Sequence, residues 1–227
     1  MGLSTTDLGT GGSGQAKTIA PGNHILKINE LTLEDFQFIP EAKHLILHVE
    51  TEPIEGFEGF LLNKDNPEAG HYSGQIGRVK ASQYAFADGE TKSGIKIQRD
   101  RSIMIFLQNL CKALGINEWF VAQNGLHETI DDFINAFNKT APYKDVYLEF
   151  CVAGKEYVGK TGYTNYDMYL PKADRGKYAF SEVEDGKVLI YNEAIHLKKA
   201  ETKEVKNFGE DDDFSVSPKT SSDFSLD

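Results

Sequence analysis

Eight of the ten tyrosines in this chain of 227 residues fall between Tyr143 and Tyr191, with cations threaded among them. The rings are Tyr143, Tyr147, Tyr157, Tyr163, Tyr166, Tyr169, Tyr178 and Tyr191, and the cations are Lys155, Lys160, Lys172, Arg175 and Lys177. Each nucleobase has a π-face that stacks on an aromatic ring for about 1–3 kcal/mol, while Lys and Arg track the phosphates. This pairing of residue types suits an unpaired strand held without reading its sequence. The plainer reading is that Tyr favours strands and the rims of barrels.

A second pattern lies inside the same stretch. Gly154-Lys155-Glu156-Tyr157-Val158-Gly159-Lys160-Thr161 obeys the phosphate-loop spacing G-x-x-x-x-G-K-T. That motif works only where a helix starts at the Gly-Lys step and points its free amides at phosphate. Here Gly162-Tyr163-Thr164-Asn165-Tyr166 and then Pro171 follow, which makes a glycine-punctuated hairpin the better expectation.

Other chemistry has little local support. His44 and His48 share one face of a strand without a nearby third ligand, so no metal or cofactor is expected and both rings are read as solvent-facing. No nucleophile, base and orienting group stand together, and the chain is read as non-enzymatic. Trp119 is assigned to the core. Cys111 and Cys151, forty residues apart in apolar segments, are read as buried thiols in a reducing compartment.

The net charge of −11 is unevenly spread. Residues 28–68 hold ten acids against Lys43 and Lys64, and residues 207–227 hold six acids against Lys219. Residues 78–101, by contrast, carry Arg78, Lys80, Lys92, Lys96, Arg99 and Arg101 against three acids. A polarised body of this kind fits an anion-binding groove despite the negative total.

These groups need a scaffold, and the hydropathy pattern describes one. A loose strand is expected over 24–33 and a clearer one over 42–52, where Leu45, Leu47 and Val49 alternate with His44, His48 and Glu50. Residues 56–77 read as an irregular excursion, followed by strands over 78–86 and 94–98 around the turn Asp88-Gly89. Asp100 is placed as the cap of a helix whose stripe is Ile103, Phe106, Leu107, Leu110 and Leu114, stopped by Gly115. A further helix is expected over 127–138. Strands then return over 146–152, 167–170, 178–183 and 187–197.

Strands, a mid-chain helical insert and strands again is the order of an OB-fold, a five-stranded Greek-key barrel, here with extra hairpins. An α+β sheet with helices on one face stays compatible with the same order. The expected organisation is a flexible leader over 1–19, one domain over 20–206 and a disordered acidic tail over 207–227. In the tail, Asp213-Phe214-Ser215-Val216 is echoed ten residues later by Asp223-Phe224-Ser225-Leu226. Asp213, Phe214, Asp223 and Phe224 are the expected partner contacts, and the same tail would compete for the body's own basic groove. No secretory signal is read at the start. Met1 to Thr6 fit an N-myristoylation pattern, but no basic cluster supplies the second anchor that membrane attachment needs.

With these residues in view, the chain resembles the single-stranded DNA-binding proteins of tailed phages. The likeness rests on the Pro21-Gly22-Asn23-His24 opening strand, the segment Gly74-Gln75-Ile76-Gly77-Arg78-Val79-Lys80 leading to Arg99-Asp100-Arg101, and the acidic, aromatic tail. One departure is that Ser225-Leu226-Asp227 follows the last aromatic residue, Phe224. The resemblance implies an OB-fold body, sequence-tolerant binding of single-stranded DNA in the host cytoplasm, and a tail that recruits replication or recombination proteins. Arg78, Lys80, Lys92, Lys96, Arg99, Lys155, Lys160, Lys172 and Lys177 are then the expected phosphate contacts. Tyr84, Phe86, Tyr147, Tyr157, Tyr163, Tyr166 and Tyr169 are the candidates for stacking. Two other readings stay open: a phosphate-loop hydrolase, and an acidic β-rich virion or adaptor protein without nucleic-acid binding. Homo-oligomerisation is left open as well.

Overall fold

The computed structural model describes residues 18–54, 74–159 and 163–200, together with the backbone of short strands at 60–61 and 71–72. The leader up to residue 17 and everything beyond 200 lie outside the described residues. In chain order the strands are β1 (Gly22–Asp35), β2 (Lys43–Thr51), β3 (Phe60–Leu61), β4 (His71–Tyr72), β5 (Ile76–Lys80), β6 (Gly89–Glu90) and β7 (Lys96–Ile97). Helices α1 (Arg99–Ala113), α2 (Asn117–Ala122) and α3 (Ile130–Thr140) follow as one insert. β8 (Tyr147–Val158), β9 (Thr164–Tyr169), β10 (Phe180–Glu182), the single turn α4 (Glu193–His196) and β11 (Leu197–Lys198) complete the order.

Five of these strands close a ring. β1 pairs with β2, β2 with β5, β9 with β8 and β8 with β1, all antiparallel, while β5 and β9 run parallel. Closure leaves no free edge within the ring, so its backbone groups are paired internally. β1 manages this by serving two neighbours: Gly22 to Lys27 pair with β8, and a register shift between Ile28 and Glu30 accompanies its turn along β2. β10 and β11 extend the sheet from β8.

Alternation along each strand sends one set of side chains inward. Leu26, Ile28, Leu45, Leu47, Val79, Leu148, Phe150 and Val152 are buried in one core, joined by Ile103, Leu107 and Leu110 of α1 and by Phe133, Ile134 and Phe137 of α3. Trp119 packs edge-on against Phe133 and Phe137, at centroid distances of 5.8 and 5.7 Å, so its expected place against the core is found. Tyr143 is fully buried, stacks on Phe137 at 4.3 Å and donates its hydroxyl hydrogen to the Asn29 carbonyl at 3.2 Å. Where β8 no longer flanks β1, Asn138 of α3 takes over. Its Oδ1 accepts from the Leu31 N–H and its Nδ2 donates to the Leu31 carbonyl, both at 2.8 Å. A side-chain amide thus stands in for a strand neighbour.

The elements depart from expectation in several places. β5 ends at Lys80 rather than reaching Phe86, because the chain leaves the sheet at Ser82 and Phe86 returns only to bridge Lys43. α1 is capped by Gln98 without a side-chain bond. Asp100 turns instead to the Arg99 guanidinium at 2.7 Å, and Asp88 accepts the Arg99 N–H at 2.7 Å. α3 starts at Ile130 because Thr129 accepts from the Asp132 N–H at 3.1 Å. The strand expected over 187–197 is reduced to a bridge between Tyr178 and Val188, after which Asn192 caps α4.

Candidate nucleic-acid interface

The outward-facing half of the alternation builds a groove across the ring. Its floor is set by register: Glu30 lies opposite His48, Glu34 opposite His44, His48 opposite Arg78, and Ile46 opposite Lys80. On the far side, Lys155 lies opposite Asp167 and Tyr157 opposite Asn165. The groove encloses about 1200 Å³ and is lined by β1, β2, β5, β8 and β9.

Five of the sixteen body residues expected to bind nucleic acid line it: Arg78, Lys80, Lys155, Tyr157 and Tyr166. Tyr157 is half exposed, and Tyr166 is half-buried against the core. The other expected residues lie elsewhere. Phe86 packs against the core and Tyr169 is only 7% exposed, so neither presents a ring face to a ligand. Tyr84 is exposed beyond the end of β5, and Tyr163 is exposed at the start of the β9 approach. Tyr147 sits at the opposite end of β8 from Lys155, paired with Lys27 of β1. Lys92 and Lys96 belong to the β6–β7 hairpin. Arg99 donates to the Glu41 carbonyl at 2.7 Å and to Asp100, a local clamp that raises its pKa through the Asp100 hydrogen bond. Lys172 and Lys177 are exposed after β9, with Lys177 donating to the Gly186 carbonyl. Lys160 and the tail residues Asp213, Phe214, Asp223 and Phe224 lie outside the described residues.

Ion pairs between strands set the electrostatics of the groove. Arg78 pairs with Glu34, and Lys80 lies 2.7 Å from Asp167. With Glu30 also in the lining, three carboxylates face the three cations Arg78, Lys80 and Lys155. Among the described residues Lys155 makes no ion pair. His48 has its Nε2 3.0 Å from the Thr32 hydroxyl, and burial pushes its pKa down, reinforced by Arg78 and opposed by Glu30 and Glu34. His44 is not solvent-facing as the alternation implied: it is 8% exposed and sits edge-on to Phe36 at 5.2 Å. Burial, then Lys80, lowers its pKa. Both imidazoles are therefore neutral at pH 7, and the groove is balanced in charge.

The phosphate-loop spacing falls on the β8–β9 hairpin, with Val158 opposite Thr164 and strand rather than helix resuming after it. Lys160 to Gly162 are outside the described residues. Among the described residues no three His, Cys, Asp or Glu side chains converge as a metal site. Both thiols are free and buried, Cys111 pushed up by burial to about 12 and Cys151 to about 11. A smaller apolar cleft of about 430 Å³ lies between α1, α2 and the start of α3, with Asp100 and Glu128 at its rim. No described helix is long and apolar enough to cross a membrane.

Comparison with protein-family models, with curated proteins and with solved structures finds no match.

Proposed function

We propose that the ring is an OB-type barrel and that the protein binds single-stranded DNA along the groove, without catalysing a reaction. The carrying observation is where the groove lies. Numbered by chain order, the ring strands run 1-2-3-5-4 around the barrel, the third and fifth are parallel, and the helices fall between the third and fourth. In OB-folds the face of strands two and three takes the oligonucleotide. Here that face is β2 and β5, the floor that carries Arg78 and Lys80, with Lys155, Tyr157 and Tyr166 on the adjoining strands. Phosphates exchange with Glu34 and Asp167 for the cations, and the rings stack on bases irrespective of sequence.

On this reading the protein coats strands exposed during phage DNA replication, recombination or repair in the host cytoplasm. The repeated Asp-Phe-Ser segment of the tail recruits other proteins of that process. The test is fluorescence anisotropy of the full chain with labelled oligo-dT and with duplex DNA over a salt series. Tight, duplex-disfavouring binding is expected, with log K falling against log salt at a slope of about −2 for three groove cations. No affinity for single strands at low salt would favour the adaptor reading instead, and nucleotide turnover lost in Lys160→Ala would favour the hydrolase.

A further inference from the structure

A groove that only tracked phosphate would gain nothing from carboxylates, since each repels the strand. Yet Glu34 on β1 and Asp167 on β9 flank the two β5 cations from both sides, with about half of each carboxylate side chain exposed. Resting on the single-strand reading of this groove, we infer that Glu34 and Asp167 select bases by accepting hydrogen bonds from exocyclic amino groups. Cytosine-bearing strands are then held more tightly than thymine-bearing ones.

When phosphates engage Arg78 and Lys80, the two carboxylates lose their partners. They are acceptors only, so they need N–H donors from the ligand. The 4-amino group of cytosine supplies one, and Asp or Glu accepting from cytosine N4 is a recognised pairing. Thymine offers a carbonyl oxygen at the same position, which sets acceptor against acceptor. The other polar groups of the lining cannot make this distinction. Asn29 and Asn165 carry amides that both donate and accept, and the neutral His48 already engages Thr32. Glu30 shares the cross-strand row of His48 and Arg78, but its side-chain partner is His48 at 3.9 Å rather than a β5 cation, so phosphate binding does not strip it of a partner and it is not assigned this role.

The test compares labelled 15-residue dC, dT and dU strands on the full chain at one salt concentration, dU removing the thymine methyl as a cause. The wild-type chain is expected to bind dC about tenfold more tightly than dT or dU. In the double variant Glu34→Gln, Asp167→Asn, whose amides donate as well as accept, the preference should fall below about twofold while dT binding tightens, because Arg78 and Lys80 are released. Asp167→Glu keeps the carboxylate and should keep the preference. Circular dichroism of each variant confirms that the barrel is intact. Equal binding of dC and dT by the wild-type chain overturns the inference, as does a preference that survives in the double variant. Failure to bind any strand overturns the single-strand reading itself, and this inference with it.

Discussion

Lys80 of β5 and Asp167 of β9 meet at 2.7 Å where the two strands run parallel in the ring. The pair is only partly buried, so its contribution to stability is small, about 0–1 kcal/mol. Its importance is positional: it holds a cation ready on the floor of the groove. Lys80→Ala and Arg78→Ala should each weaken oligo-dT binding several-fold and flatten the salt slope by about 0.7. Lys92→Ala and Lys96→Ala, on the β6–β7 hairpin away from the lining, should leave both quantities unchanged. Anisotropy titrations at three or more salt concentrations separate the two sets.

Tyr157 is the ring of the lining with the most exposed surface, 49%. Tyr157→Ala should cost about 1–3 kcal/mol of binding, the usual worth of one stacked base. Tyr147→Ala, at the other end of β8, should cost nothing measurable. Equal losses in the two variants would remove the groove from the account.

Deleting residues 207–227 takes away six acids and one Lys. If the tail competes with DNA for the cations, the shortened chain should bind oligo-dT more tightly, most visibly at low salt where screening is weakest. Unchanged or weaker affinity contradicts that competition.

Asn138 offers a stability test that leaves the groove alone. Asn138→Ala strands the N–H and C=O of Leu31 beside a buried core, at a cost of about 2–3 kcal/mol. Urea unfolding followed by tryptophan fluorescence measures it, Trp119 being the one indole of the chain.

Three histidines set a pH dependence. Burial lowers the pKa of His44, His48 and His196 in the folded chain from the ordinary 6.5. The unfolded chain therefore takes up protons first as pH falls below about 6.5. Their contribution is complete above that value and is lost on acidification, until the folded-state values are passed. Stability from urea titrations should decline between pH 7 and pH 5, and replacing one of these histidines at a time by Gln should make the decline shallower.

Local periodicity carried much of this fold. The alternation of Leu45, Leu47 and Val49 defines β2, and the stripes of α1 and α3 are continuous enough to read directly. α2 has six residues, too few for a period to emerge. The ring itself depends on non-local pairing, above all the parallel match of β5 with β9, and no local signal encodes that. The same limit explains the candidate site. Arg78, Lys80, Lys155, Tyr157 and Tyr166 line the groove, but Phe86 and Tyr169 carry the same residue-type signal and do not: Phe86 packs on the core where the chain bridges back to Lys43, and Tyr169, although opposite Lys80, is buried by its surroundings. Glu34 and Asp167 were invisible because their partners lie 44 and 87 residues away in the chain.

The central claim is that an unpaired strand lies in the groove over β2 and β5. Ultraviolet cross-linking of the full chain to a bromodeoxyuridine-substituted strand, followed by peptide mapping, reads this directly. Adducts should concentrate on Tyr157 and Tyr166, the two rings of the lining. Adducts on Tyr84 or Tyr147 with none in the groove would contradict it.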